Sequence, residues 1–156
     1  MHVIFKYSLI QEAKNIFEIV THYNEYKDLR SVVFPSIKGV IYAMSHYDKS
    51  IKEYRDFWEK IESEFNKAVV ATGLTLLNND KICFMHKFGC EGWFNADKNQ
   101  IHVRTTESTK RNTVDSIMHE ILHLITYKPD MSYEDREDMV NKYISLPPFQ
   151  ELLAKL

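Results

Sequence analysis

The sequence predicts an α+β fold: N-terminal helices, a small antiparallel β-meander, then two closing helices with a short tail. Three observations carry that expectation. Apolar residues recur at helical spacing through most of residues 1–73, at spacing two over 74–105, and at helical spacing again from Thr113. A chain of 156 residues with 44% hydrophobic and 13% aromatic content suits a single globular domain with its own core. The expected division of residues 1–156 is a mainly helical part (1–73), the meander (74–105) and the C-terminal helices (112–156).

A short apolar start at Val3–Tyr7 precedes a helix expected over Leu9–Tyr26, where Ile10, Ala13, Phe17 and Val20 share one face. Arg30–Tyr47 is mixed and broken at Pro35 and Gly39, with Val40–Met44 a candidate short strand. The strongest helical pattern runs from Asp48 to Thr72. Ile51, Tyr54, Trp58, Ile61, Phe65, Ala68 and Val69 form its stripe, charged residues lie opposite, and Gly73 supplies the stop. Leu74–Leu77 and Ile82–Phe88 alternate on either side of the turn-forming Asn78-Asn79-Asp80. Trp93–Asn95 and Ile101–Arg104 flank Ala96-Asp97-Lys98-Asn99 as a hairpin. Helix returns from Thr113 to Tyr127, with Asn112 the expected N-cap and Pro129 the stop. Ser132-x-x-Asp135 approximates a capping box for a further helix through Ile144, and Pro147-Pro148 opens a last short one.

On the Thr113–Tyr127 helix, Val114, Ile117, Met118, Ile121, Leu122, Leu124 and Ile125 cluster on one side, with Ser116, His119, Glu120, His123 and Tyr127 opposite. His119-Glu120-Ile121-Leu122-His123 is an HExxH motif, whose two imidazoles one turn apart can reach a single metal ion. Zinc takes neutral nitrogen ligands and, in catalytic sites, keeps one position open. Glu120 stands beside the ligands, off the metal, where a general base toward water belongs. One Zn²⁺ per chain is therefore expected. A surface helix with two solvated histidines has the same spelling, but the strongly apolar opposite side favours a packed helix.

A third ligand is needed, and the next helix offers carboxylates. Its apolar face is Tyr133, Met139, Val140, Tyr143 and Ile144; Glu137 falls at the margin of that face, Glu134 farther out, Asp135 and Asp138 farther still. An acid directed at a core is costly unless paired or metal-bound. Glu137 is the favoured ligand and Glu134 the alternative.

HExxH followed by a glutamate on the next helix resembles the gluzincins, and the compact size is similar to small zincins of the ImmA/IrrE type and related phage or prokaryotic forms. In that group a β-hairpin precedes the HExxH helix and the ligand-bearing helix ends near a Leu-x-Pro. Here Gly92-Trp93-Phe94-Asn95 and Gln100-Ile101-His102-Val103-Arg104 precede the motif, and Leu146-Pro147-Pro148 follows Glu137. The resemblance spans roughly residues 74–148. It implies a zincin-like fold, zinc ligation by His119, His123 and Glu137, and a general-base role for Glu120. The gap from His123 to Glu137 is shorter than the family pattern, and Asp138-Met139 stands where Ala-Asn usually follows the ligand. A metzincin is excluded, because its glycine and third histidine would fall on Thr126 and Pro129.

The expected activity is zinc-dependent peptide-bond hydrolysis, with a protein or peptide as substrate. The oxyanion needs a donor, for which Tyr127, His102, Arg104 and Tyr143 are candidates, Tyr127 because it shares the face of the histidines. Trp93, His102 and Arg104 on the hairpin are the expected substrate contacts, since a strand edge beside the metal can hold an extended peptide. Two other classes stay open: a protein-interaction module with a structural or inactive zinc site, and a metal-dependent amide hydrolase. For the latter, Gly89-Cys90-Glu91-Gly92 upstream of HExxH resembles the peptide deformylases, where a cysteine is the third ligand. A net charge of −2 without a dense basic cluster gives no reason to expect nucleic acid. No apolar run reaches transmembrane length, the N-terminus lacks a signal-peptide core, and two cysteines make no disulfide framework, so a cytoplasmic protein is expected.

Overall fold

The computed structural model describes residues 1–21, 47–105 and 110–156; the expected Val40–Met44 strand and the end of the first helix beyond 21 lie outside them. In chain order the described elements are β1 (Val3–Lys6), α1 (Leu9–Thr21), α2 (Tyr47–Ala71), β2 (Lys81–His86), β3 (Gly92–Asn95), β4 (Gln100–Arg104), α3 (Lys110–Thr126), α4 (Tyr133–Ile144) and α5 (Pro147–Leu153). They form an α+β arrangement around a four-stranded mixed sheet of order β1-β2-β4-β3.

The sheet is not the antiparallel meander expected from the alternating pattern. β1 runs parallel to β2, with Val3 opposite Lys81, and β2 runs parallel to β4, with Cys83 opposite Ile101. β3 runs antiparallel to β4, with Phe94 opposite Ile101. The physical reason is burial on both faces. Cys83, Met85, Ile101 and Val103 are buried on one side and His86 and His102 on the other, so β2 and β4 occupy the centre, as parallel strands do. β3 is half-buried along its length and takes the edge. The hairpin turn between β3 and β4 forms as expected: Asn99 adopts the left-handed conformation that Asn tolerates, and Asn95 Oδ1 accepts from the Lys98 amide at 3.1 Å. Leu74–Leu77 does not become a strand, because β1 already holds the edge of β2 that it would need; its leucines pack against the core without ladder pairing.

α2 behaves as its stripe predicts. Trp58, Phe65 and Val69 are fully buried, and Trp58, Phe65 and Phe149 of α5 form a tilted aromatic row with centroids 5.3 and 5.8 Å apart. Gly73 closes the helix in left-handed backbone: its amide reaches Val70 O at 3.0 Å and the Leu74 amide reaches Val69 O at 3.2 Å. Glu62 ties α2 to the sheet edge, accepting from the Val3 amide and from Trp58 Nε1, each at 2.9 Å.

α3 packs on β3 and β4 and along α4. Val114, Ile117, Ile121 and Leu122 are fully buried, and each such side chain contributes on the order of 1.5–3 kcal/mol. The helix is already formed at Lys110, so Asn112 lies inside it rather than capping it, and its carbonyl accepts from the Ser116 hydroxyl at 3.1 Å. Ser132 does cap α4, its Oγ accepting from the Asp135 amide at 3.1 Å.

α1 inverts its expected packing. Ile10 and Phe17 are 72% and 69% exposed, while Glu12 and Asn15 are buried. The polar face is held by backbone groups of the 87–91 segment: Glu12 Oε1 accepts from the Lys87 and Phe88 amides at 3.0 Å each, and Asn15 Nδ2 donates to Phe88 O at 3.3 Å. Among the described residues no helix is long and apolar enough to cross a membrane.

Candidate metal centre

His119 and His123 stand on successive turns of α3, and α4 brings Glu137 against them. The two Nε2 atoms are 3.0 Å apart; His119 Nε2 lies 3.2 Å from Glu137 Oε2, and His123 Nε2 lies 3.1 Å from Glu137 Oε1. Two imidazole nitrogens facing each other at that distance repel through their lone pairs unless a proton or cation stands between them. Ligand bonds of 2.0–2.1 Å in tetrahedral geometry give ligand–ligand edges of about 3.3 Å, so the triangle has the size that one zinc-like ion requires. Among the described residues, His119, His123 and Glu137 are the group whose donor atoms lie close enough to bind a metal ion. Glu134, the alternative, is exposed, as is Asp138.

β3 forms one wall. Phe94 stacks on His123 with centroids 4.9 Å apart and planes 11° from parallel, which orients the ring. A side chain at Gly92 would collide with the Glu120 carboxylate, so glycine is what lets the strand backbone approach that acid. Glu120 itself is 7% exposed and has no hydrogen bond to another described residue. Burial, then the nearby charges of Glu137 and Glu91, push its pKa up to about 8. Burial, then the neighbouring His119, hold His123 well below the usual imidazole value, which keeps it neutral and fit to donate to a metal. These groups open into a cavity of about 520 Å³ that Glu91, Asp115, Ser116 and Tyr133 also line.

Of the other expected site residues, Tyr127 follows the end of α3 and meets Phe94 edge-on at 5.6 Å, but the cavity wall does not include it. Trp93, His102 and Arg104 are not at the centre. Side chains alternate along a strand, and Phe94 takes the face toward α3, so Trp93 and its partner His102 take the other. There His102 is fully buried between Trp93, with centroids 3.5 Å apart, and Phe84, at 5.1 Å. Arg104 donates to Gly89 O at 2.8 Å and braces the loop. Cys83 is buried and Cys90 half-buried, burial raises both thiols, and neither joins the two histidines, so the ligand set of a deformylase is not assembled.

Tyr133 is the site residue that sequence reasoning passed over. It lies one turn before Glu137 on α4, hydrogen-bonds it, and lines the cavity; the Glu137 charge raises its phenol above the ordinary value. Its spacing of four from Glu137 was the available signal. Phe94 could have been found from its pairing with buried Ile101. No protein-family model, curated protein or solved structure matches this chain.

Proposed function

We propose that this chain is a zinc-dependent metallopeptidase of the gluzincin type on a zincin-like scaffold, with His119, His123 and Glu137 holding one Zn²⁺ and Glu120 as general base. The observation that carries the reading is the convergence of three metal donors beside a buried, unpartnered carboxylate at an open cavity. The β3–β4 hairpin just before α3, and the end of α4 just before Leu146-Pro147-Pro148, also support it.

Bound there, zinc supplies Lewis-acid polarisation of a carbonyl and lowers the pKa of water toward neutrality. Glu120 takes the proton from the attacking water and passes it to the leaving amine, roles that a carboxyl titrating near 8 can fill in turn. The Tyr133 phenol faces the same space and donates to the developing oxyanion. β3, at the sheet edge, offers main-chain groups to an extended peptide. Unpaired Cys83 and Cys90 accord with a reducing, cytoplasmic setting.

The test is Glu120→Gln. That variant keeps about one zinc per chain by elemental analysis and loses peptide hydrolysis by roughly 10²–10⁴-fold. Turnover equal to the parent protein removes Glu120 from its role, and failure of the parent to take up stoichiometric zinc ends the reading. A second reading, a zinc-bearing interaction module, draws on the exposed Ile10 and Phe17 of α1. Full zinc loading without turnover on any peptide favours it.

A further inference from the structure

The cavity carries two acids that the proposed chemistry does not use, Glu91 and Asp115. It extends from the metal triad toward the start of α3, past Ser116 and Asp115 to Asn112, with Glu91 across from them; Ser116 Oγ and Glu91 Oε1 are 3.4 Å apart. We propose that Asp115 and Glu91 form an anionic subsite that selects peptides bearing arginine or lysine next to the scissile bond. The inference rests on the peptidase reading and names its substrate class.

Charge is the first argument. Glu91, Asp115, Glu120 and Glu137 are four carboxylates around one space, and no lysine or arginine is among its described lining residues. A divalent ion offsets two of those charges, and the remainder still draws a cation. The neighbouring arginines are committed to carbonyls outside the lining: Arg111 to Leu153 O at 3.2 Å, Arg136 to Ser132 O at 3.3 Å and Arg104 to Gly89 O at 2.8 Å. The second argument is unmet bonding. Glu120 is 7% exposed and lines the cavity without a hydrogen bond to another described residue, and Asp115 Oδ1 is buried with no partner. Buried acceptors of this kind call for a donor, and a guanidinium or ammonium brings several. Distance is the third. Asp115 and His119 are one turn apart on the same face of α3, a rise of about 6 Å. The four-carbon stem of lysine, or the stem and fork of arginine, spans that gap from a backbone held at the metal. A second metal ion does not account for these acids, since among the described residues no other group of three donors converges.

The experiment uses the full chain loaded with zinc and three blocked peptides identical except for arginine, norleucine or glutamate beside the cleaved bond. Binding is measured by calorimetry to the Glu120→Gln protein, and turnover is measured with the parent. The arginine peptide binds roughly tenfold or more tightly than the norleucine peptide, with glutamate weakest. Adding Asp115→Asn and Glu91→Gln brings the arginine-to-norleucine ratio close to one while zinc content holds. Equal affinities in the Glu120→Gln protein, a preference that survives both substitutions, or no binding of any peptide overturns the subsite. An arginine preference in binding with no turnover by the parent leaves the subsite standing and overturns the peptidase reading instead; turnover without preference does the reverse.

Discussion

At the rim of the metal centre, Tyr133 hydrogen-bonds Glu137 and faces the cavity, so its hydroxyl has two separable jobs. As an oxyanion donor it acts on kcat; as a brace for Glu137 it acts on metal affinity. Tyr133→Phe is expected to lower kcat by roughly 100-fold while KM and zinc affinity stay near those of the parent. A variant that instead loses zinc under competition with a chelator, at unchanged kcat when saturated, makes Tyr133 a positioning residue for Glu137. Gly92 tests the opposite wall. Gly92→Ala sets a methyl group against the Glu120 carboxylate and is expected to reduce hydrolysis strongly at full zinc occupancy, because the metal ligands are untouched. Retained activity would mean that Glu120 swings clear without consequence.

At the scale of elements, α1 works through its polar side. Its buried carboxylate holds two amides of the loop that leads into β3, and Asn15 holds a carbonyl of the same loop, so the helix anchors the segment that carries Glu91 and Gly92 to the cavity. Glu12→Leu leaves the Lys87 and Phe88 amides buried without acceptors and is expected to cost roughly 1–3 kcal/mol for each. Urea unfolding gives the total, and hydrogen exchange at those two amides should quicken in the same variant; unchanged exchange would show that the loop is held by Arg104 alone. The hydrophobic pattern of α1 pointed the other way, toward burial of Ile10, Ala13 and Phe17. Periodicity identifies which side chains share a face, but not which face finds backbone groups to satisfy. The hairpin shows the same limit. Its strands were legible, yet the choice of Trp93 over Phe94 as the residue facing the metal was a matter of parity, and parity was decided by the pairing of Phe94 with Ile101.

For the molecule as a whole, buried titrating groups set how stability varies with pH. Burial lowers His86 from 6.5 to about 4 and His102 to about 3, so each is protonated in the unfolded chain before it is in the native one. Their contributions are present above pH 6.5 and are lost as pH falls toward those native values. Glu12 has the opposite sign: burial raises it to about 7, so its contribution is full below the unfolded value of 4.5 and is lost as pH rises through 7. Two histidines outweigh one glutamate between pH 6.5 and 4.5, and stability declines on the acid side. His102→Phe keeps the stack between Trp93 and Phe84 and removes one titration. Its loss of stability over that window is expected to be smaller than the parent's by about 2 kcal/mol, read from urea midpoints at several pH values. Parallel pH profiles would show that His102 is protonated in the native state.

The motif, the helix that bears it, the stop at Gly73, the cap at Ser132 and the core stripe of α2 are local properties, and the sequence alone determined them through periodicity and side-chain chemistry. Selection of Glu137 over Glu134 was also within reach, because one helix wheel orders its own acids. Strand order, the parallel pairing of β1 with β2 and β4, the outward turn of the α1 stripe, and the gathering of Glu91, Asp115 and Tyr133 around one cavity were decided by tertiary structure. Each depends on contacts between segments far apart in the chain, where competition for a sheet edge or for an unpaired amide chooses among arrangements that are equal in local pattern.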